Sequence, residues 1–236
     1  MTAHPRLPRP ENPIAVALDT ADLDHLGGLA ATLGPRAGML KVGLEAFAAH
    51  GPEAVRTAAA HGQVFYDAKL HDIPNQVAGA AAALARLGVG HLTVHAAGGR
   101  AMIAAATAAA PQVSVLAVTV LTSLDDASLA EIGQDTAAAQ VPRLAAMAVS
   151  AGAAGIVCAP SEVGVVRAAI GDDPLVVTPG IRPTGTATDD QARVATPRAA
   201  ISAGADVLVI GRPITRATDP AAAADAILAD LQRTSA

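Results

Sequence analysis

Short apolar runs recur along the chain, each bounded by Gly, Pro or Asp and followed by an Ala-dominated stretch of helical pattern. That alternation is the signature of repeated βα units. Eight strands are read, at Ile14 to Asp19, Met39 to Gly43, Val64 to Lys69, His91 to His95, Val113 to Leu121, Gly155 to Ala159, Leu175 to Pro179 and Val207 to Gly211. Runs so continuously apolar belong in a parallel sheet buried on both faces. Eight βα units within about 220 residues predict an α/β fold, a (β/α)8 TIM barrel, with a doubly wound sheet as the second choice.

Polar residues interrupt this pattern mainly where a strand ends: Asp19, Lys41, Asp67 with Lys69, Thr122, Arg182 and Arg212. In a βα barrel those ends form one rim, and barrel enzymes place their chemistry there. Polar residues kept only for solubility would decorate the opposite face and the helices equally. Two connections, Thr122 to Thr136 and Arg182 to Thr196, are longer than a turn requires, and the second is rich in Gly, Thr and Asp, as a lid would be.

Composition narrows the function classes. With 236 residues and 52% apolar content, one large domain over residues 13–236 needs neither disulfide nor metal to hold its core, and residues 1–12, rich in Pro and Arg, read as a flexible arm. A net charge of −5 and only three aromatic side chains argue against a nucleic-acid partner. No run is apolar and long enough to span a membrane or serve as a signal peptide, so a cytoplasmic protein is expected. The single Cys158, within an apolar run, reads as a core residue. Of the 16 basic residues, only Lys41 and Lys69 are lysines. An ammonium is compact and can release a proton in tuned surroundings, which a guanidinium cannot, so both lysines are active-site candidates.

The segment Asp67-Ala68-Lys69-Leu70-His71-Asp72-Ile73-Pro74-Asn75 is the most specific signal. Strand alternation puts Asp67 and Lys69 on one face and Ala68 and Leu70 on the other. Asp72 follows just past the strand, where an Asp before Pro74 can also be a helix N-cap. Together with Lys41 these residues form an alternating set of two cations and two anions. Burying four charges is a poor route to stability compared with apolar packing, so the set points to function. His91 and His95 share a strand face but stand roughly 13 Å apart, too far to hold one metal ion. No Cys/His ligand set is present, and neither a metal nor an organic cofactor is expected.

Asp67-x-Lys69-x-x-Asp72-Ile73-Pro74-Asn75 resembles the active-site signature of the orotidine 5′-monophosphate decarboxylase family. Ala17-Leu18-Asp19, Leu40-Lys41-Val42-Gly43, Val118 to Ser123, Val177 to Pro183 and Val209 to Pro213 resemble further family segments, in the expected order over nearly the whole chain. The resemblance implies decarboxylation of orotidine 5′-monophosphate to UMP, a step of pyrimidine biosynthesis, with Lys69 as proton donor and Lys41, Asp67 and Asp72 completing a catalytic array. It also implies that Asp19 and Lys41 hold the ribose hydroxyls. Thr122 and Ser123 would meet the pyrimidine amide, with Ile73 and Pro179 also contacting substrate. Arg182, Gln191, Gly211 and Arg212 would hold the 5′-phosphate, a role for which Gly211-Arg212 at a helix start is already a candidate on chemical grounds, though by itself such a pair is more often only a turn. Finally, it implies a homodimer with shared active sites, in which Asp72 and residue 76 reach the neighbour; family members commonly carry Thr at the latter position, and here it is Gln76.

Two rivals remain at this point. A magnesium-dependent sugar-phosphate decarboxylase or aldolase shares the Asp-x-Lys-x-x-Asp core but places a metal-binding Glu at the second strand end, where Lys41 would repel the ion. A non-catalytic barrel that binds a nucleotide phosphate gives no reason to keep both lysines.

Overall fold

The computed structural model describes residues 9–183 and 195–233. Its strands are β1 (Ile14–Ala17), β2 (Met39–Val42), β3 (Val64–Leu70), β4 (His91–His95), β5 (Ser114–Val118), β6 (Gly155–Val157), β7 (Leu175–Thr178) and β8 (Val207–Ile210). All neighbours are parallel, and β1 pairs with both β2 and β8, so the sheet closes and the doubly wound alternative falls away. Eleven α-helices are described: α1 (Leu23–Leu33), α2 (Leu44–His50), α3 (Pro52–Ala59), α4 (Pro74–Ala85), α5 (Gly99–Ala109), α6 (Asp126–Glu131), α7 (Ala137–Ser150), α8 (Val163–Ile170), α9 (Pro197–Ser202), α10 (Arg212–Thr215) and α11 (Pro220–Gln232). Each strand lies within a predicted run or ends within a residue of it.

Alternation along the strands sorts the core into two layers. Ala15, Met39, Phe65, Leu116, Val157, Leu175 and Val207 fill the barrel interior, whereas Val16, Leu40, Val64, Leu92, Ile156 and Leu208 turn outward against the helices. Period-two side-chain direction on a closed sheet produces this division, and it explains why the strands read as unbroken apolar runs. Local signals set several helix starts. Asp22 accepts the His25 amide at the head of α1, and Asp219 accepts the Ala222 amide at the head of α11.

The connection from Thr122 to Thr136, read from sequence as a plain loop, contains α6. Its start is fixed by Asp125, whose carboxylate accepts both the backbone amide and the hydroxyl of Ser128. At the opposite end of the barrel, Asp206 accepts hydrogen bonds from Arg167 and from the Val176 amide and pairs with Arg9 at 2.8 Å. Asn12 donates to the Arg36 carbonyl at 2.8 Å. Residues 9–12 of the predicted arm therefore pack against the barrel, and residues 1–8 lie outside the described residues. Among the described residues, no helix is long and apolar enough to cross a membrane.

Candidate active site

The C-terminal strand ends open into a cavity of about 610 Å³, a volume that suits a small-molecule ligand. Asp19, Lys41, Asp67, Lys69, Thr122, Pro179, Arg182, Gly211 and Arg212 all line it. These residues come from strand ends far apart in the chain, and barrel closure is what gathers them. Phe65, Val157 and Val209 form apolar lining beneath the charged groups. A smaller cavity of about 370 Å³ opens beside α9 and α11 and holds none of the predicted site residues.

A continuous ionic chain runs along one wall. Asp19 Oδ1 pairs with Lys41 Nζ at 3.0 Å, Lys41 Nζ lies 3.6 Å from Asp67 Oδ2, and Lys69 Nζ donates to both Asp67 oxygens at 2.9 Å. Lys41 is buried and Asp67 nearly so. Burial works against the Asp67 charge, but Lys41, then Lys69, then the hydrogen bonds from Lys69 and Thr93 outweigh it and hold the carboxyl below its usual value. Asp67 is therefore a fixed anion between two ammonium groups.

Lys69 has φ +51°, the one positive value at a non-glycine residue among the described residues. A side-chain-bearing residue in that region costs roughly 1–2 kcal/mol. The reason lies in the pairing of β3 with β4. Tyr66 stands opposite Leu92 and Leu70 opposite Val94, so Asp67, Ala68 and Lys69 face the single residue Thr93. Both charged side chains reach the cavity as alternation predicts, yet the strand that carries them bulges. Bulges of this kind re-aim side chains beside active sites. The freed Lys69 amide donates to Thr93 Oγ1 at 2.8 Å, and that hydroxyl donates to Asp67 Oδ1 at 2.8 Å.

Asp72 does not join the array of its own chain. It is exposed in the middle of the β3–α4 connection, and its Oδ1 accepts the adjacent Ile73 amide at 2.6 Å. It is not the helix cap either, since Ile73 holds that position and Pro74 opens α4. Asp19 takes the fourth place in the charged set. Ile73, 64% exposed, and Gln76 are likewise on the surface. Ser123 is exposed and outside the cavity lining, and Gln191, with most of the predicted lid, falls outside the described residues.

The opposite wall is cationic, with Arg182, Arg212 and Arg216. Arg182 is buried, its Nη1 donating to the Ile181 carbonyl at 3.0 Å, while its Nε has no partner among the described residues. A buried guanidinium with a donor to spare suits an anion.

Sequence reading missed Thr93, Gly43 and Arg216. Thr93 could have been found as a polar residue on the inward face of β4 at the height of Asp67. Arg216 lies four residues after Arg212, a helical repeat that returns it to the same rim. The Gly98–Gly99 turn begins α5 and lies outside the cavity lining, in keeping with a simple βα connection.

Residues 12–227 match the family model described as orotidine 5′-phosphate decarboxylase / HUMPS family. The chain is 55% identical over 228 residues to the orotidine 5′-phosphate decarboxylase of Thermobifida fusca, covering 95% of this chain and 97% of that one. It is 57% identical over 226 residues to the protein of the same name from Anaeromyxobacter sp. strain K, covering 94% of this chain and all of the other. The crystal structure of orotidine 5′-phosphate decarboxylase from Lactobacillus acidophilus superposes with a TM-score of 0.84 at 39% identity, over 94% of this chain and 99% of that one.

Proposed function

The chain belongs to the orotidine 5′-phosphate decarboxylase family and converts orotidine 5′-monophosphate to UMP in pyrimidine biosynthesis, and we propose that it does so through the Asp19–Lys41–Asp67–Lys69 array. Loss of CO2 leaves the electron pair of the broken bond on C6 of the pyrimidine, where no carbonyl delocalises it as an enolate. The single observation that carries the mechanism is the Lys69 ammonium, fixed at 2.9 Å from both oxygens of a largely buried carboxylate. Such a preformed charge arrangement favours a developing carbanion without reorganising during the reaction. Lys69 Nζ then delivers a proton to C6 and becomes a neutral amine, which bulk water reprotonates after UMP leaves.

Binding of the remainder of the substrate falls to the rest of the rim. Asp19 and Lys41 take the ribose hydroxyls, and Thr122, Ser123 and Pro179 meet the base. Arg182, Gln191, Gly211 and Arg212 hold the 5′-phosphate, whose binding energy is used to orient C6 against Lys69. Lys41 speaks against the magnesium-dependent rival, because its ammonium lies 3.6 Å from the Asp67 oxygen that a cation would need.

The same reading includes a homodimer with shared sites, in which Asp72 and Gln76 serve the partner's cavity. Support comes from the surface position of both beside the rim and from the exposed Leu44, at 59%, which also lines the cavity. A cytoplasmic location is part of the reading too, supported by a lone, buried cysteine.

The test is loss of the orotidylate chromophore on adding purified protein. Turnover is expected to survive exhaustive chelation and to fall nearly as far in Lys69→Arg as in Lys69→Ala, since a guanidinium keeps the charge but holds its proton. Near-normal kcat in Lys69→Arg rules out Lys69 as the acid. Activity lost to chelation and restored by Mg²⁺ returns the reading to the sugar-phosphate rival.

A further inference from the structure

Thr93 lies at the middle of β4 and is wholly buried. A valine of the same shape would serve strand propensity and packing as well or better, so the hydroxyl must be explained by its partners. A backbone amide can only donate, so the hydrogen bond from Lys69 N–H uses Thr93 Oγ1 as an acceptor. The single hydroxyl proton is then committed to Asp67 Oδ1, the oxygen that the Lys69 ammonium also grips. A closed loop results: Lys69 amide to Thr93 hydroxyl, hydroxyl to Asp67 carboxylate, carboxylate to Lys69 ammonium. Both ends of the Lys69 residue are tied to one oxygen network. The bulge makes this necessary, because the Lys69 amide has left the regular β3–β4 ladder and is held in the left-handed region.

We propose that Thr93 is a positioning residue for proton delivery, its hydroxyl locking the backbone of Lys69 and the carboxylate of Asp67 into one arrangement. The proposal rests on the reading of Lys69 as the acid. Without the hydroxyl, the Lys69 backbone loses the partner that holds it in the bulge, Asp67 loses one of its hydrogen bonds, and the ammonium is no longer fixed relative to C6. Substrate affinity depends mainly on phosphate and ribose contacts from other strands, so the loss falls on turnover.

The experiment compares Thr93→Val, Thr93→Ala and Thr93→Ser with wild type, measuring kcat by loss of orotidylate and the Kd for UMP by calorimetry. Thr93→Val and Thr93→Ala are expected to lose about 100-fold in kcat, the scale of a misplacement of about 1 Å, with UMP affinity within about threefold. Thr93→Ser, which restores the same oxygen, is expected to keep most of kcat. A hydroxyl-free variant that binds UMP and turns over within about threefold of wild type overturns the proposal, as does a Thr93→Ser enzyme as slow as Thr93→Ala. If neither hydroxyl-free variant binds UMP, the hydroxyl serves folding rather than proton delivery, and the proposal also fails. Lys69→Arg run alongside separates the two levels. An active Lys69→Arg removes the acid itself, whereas an inactive Lys69→Arg beside an active Thr93→Val removes only the role of Thr93.

Discussion

A methyl group at position 43 would lie 2.9 Å from Asp19 Oδ1 and 3.2 Å from Lys41 Nζ, so the ion pair that opens the charged array occupies space only a glycine leaves free. The backbone there is ordinary, with φ −101° and ψ −172°, and any residue could adopt it. Gly43→Ala therefore tests the placement of two side chains without straining the chain. Its expected effect is a loss on the order of tenfold or more in kcat/KM with the thermal midpoint unchanged. Unaltered kcat/KM would mean that the Asp19–Lys41 contact has no part in substrate handling. Arg182 depends on burial in a similar way. It is held by one backbone carbonyl on one side while another nitrogen remains for an anion.

At the level of the element, β3 and β4 divide what was legible in sequence from what was not. Eight strands, their order and the inward aim of Asp67 and Lys69 follow from apolar runs and period-two alternation, because those are local properties of a strand. The bulge is not local. It depends on how Tyr66 and Leu70 register against Leu92 and Val94, and no pattern within Val64 to Leu70 encodes that pairing. Thr93 stayed hidden for the same reason, since its importance comes from a neighbouring strand. Spacing alone groups Asp72 with Lys41, Asp67 and Lys69, and only the family resemblance directs it to a second copy, because spacing carries no information on the partners of a surface side chain. Two residues before Thr93 and on the same face, His91 is 7% exposed, packed edge-on with Phe65 and with Nδ1 unpaired. Burial pushes its imidazole down to about 4. Between that value and the ordinary 6.5 of the unfolded chain, only the unfolded state takes the proton. The stability tied to neutral His91 is thus complete above the unfolded value and is lost as pH falls toward the folded one. From pH 8 to pH 5, wild type should lose about 2 kcal/mol more than His91→Gln, read from urea midpoints at each pH. Parallel decline of both proteins would assign acid sensitivity to other groups.

For the whole molecule, the position of Asp72 separates a self-sufficient barrel from one completed by a second copy. Mixing Lys69→Ala with Asp72→Ala under conditions that exchange subunits gives mixed dimers in which one site holds an intact Lys69 and an Asp72 from the other chain. Random pairing makes about half of the dimers mixed, each with one whole site of two, so about a quarter of wild-type activity should return. No recovery, with exchange shown independently by mass-labelled subunits, would place Asp72 in the service of its own chain. Barrel closure has a further consequence. Asp19, Lys41, Asp67, Lys69 and Thr93 arrive on the first four βα units, while Arg182, Gly211 and Arg212 arrive after the last two strands, and the two sets meet only because β8 returns to β1. On the proposed roles, the charges that act on the reacting carbon and the phosphate grip are encoded in opposite ends of the gene, with the ribose contacts of Asp19 and Lys41 on the side of the charges. A mutant library confined to residues 175–216 would then change the phosphate grip while leaving the Asp19–Lys41–Asp67–Lys69 array untouched, and one confined to residues 14–95 would do the reverse.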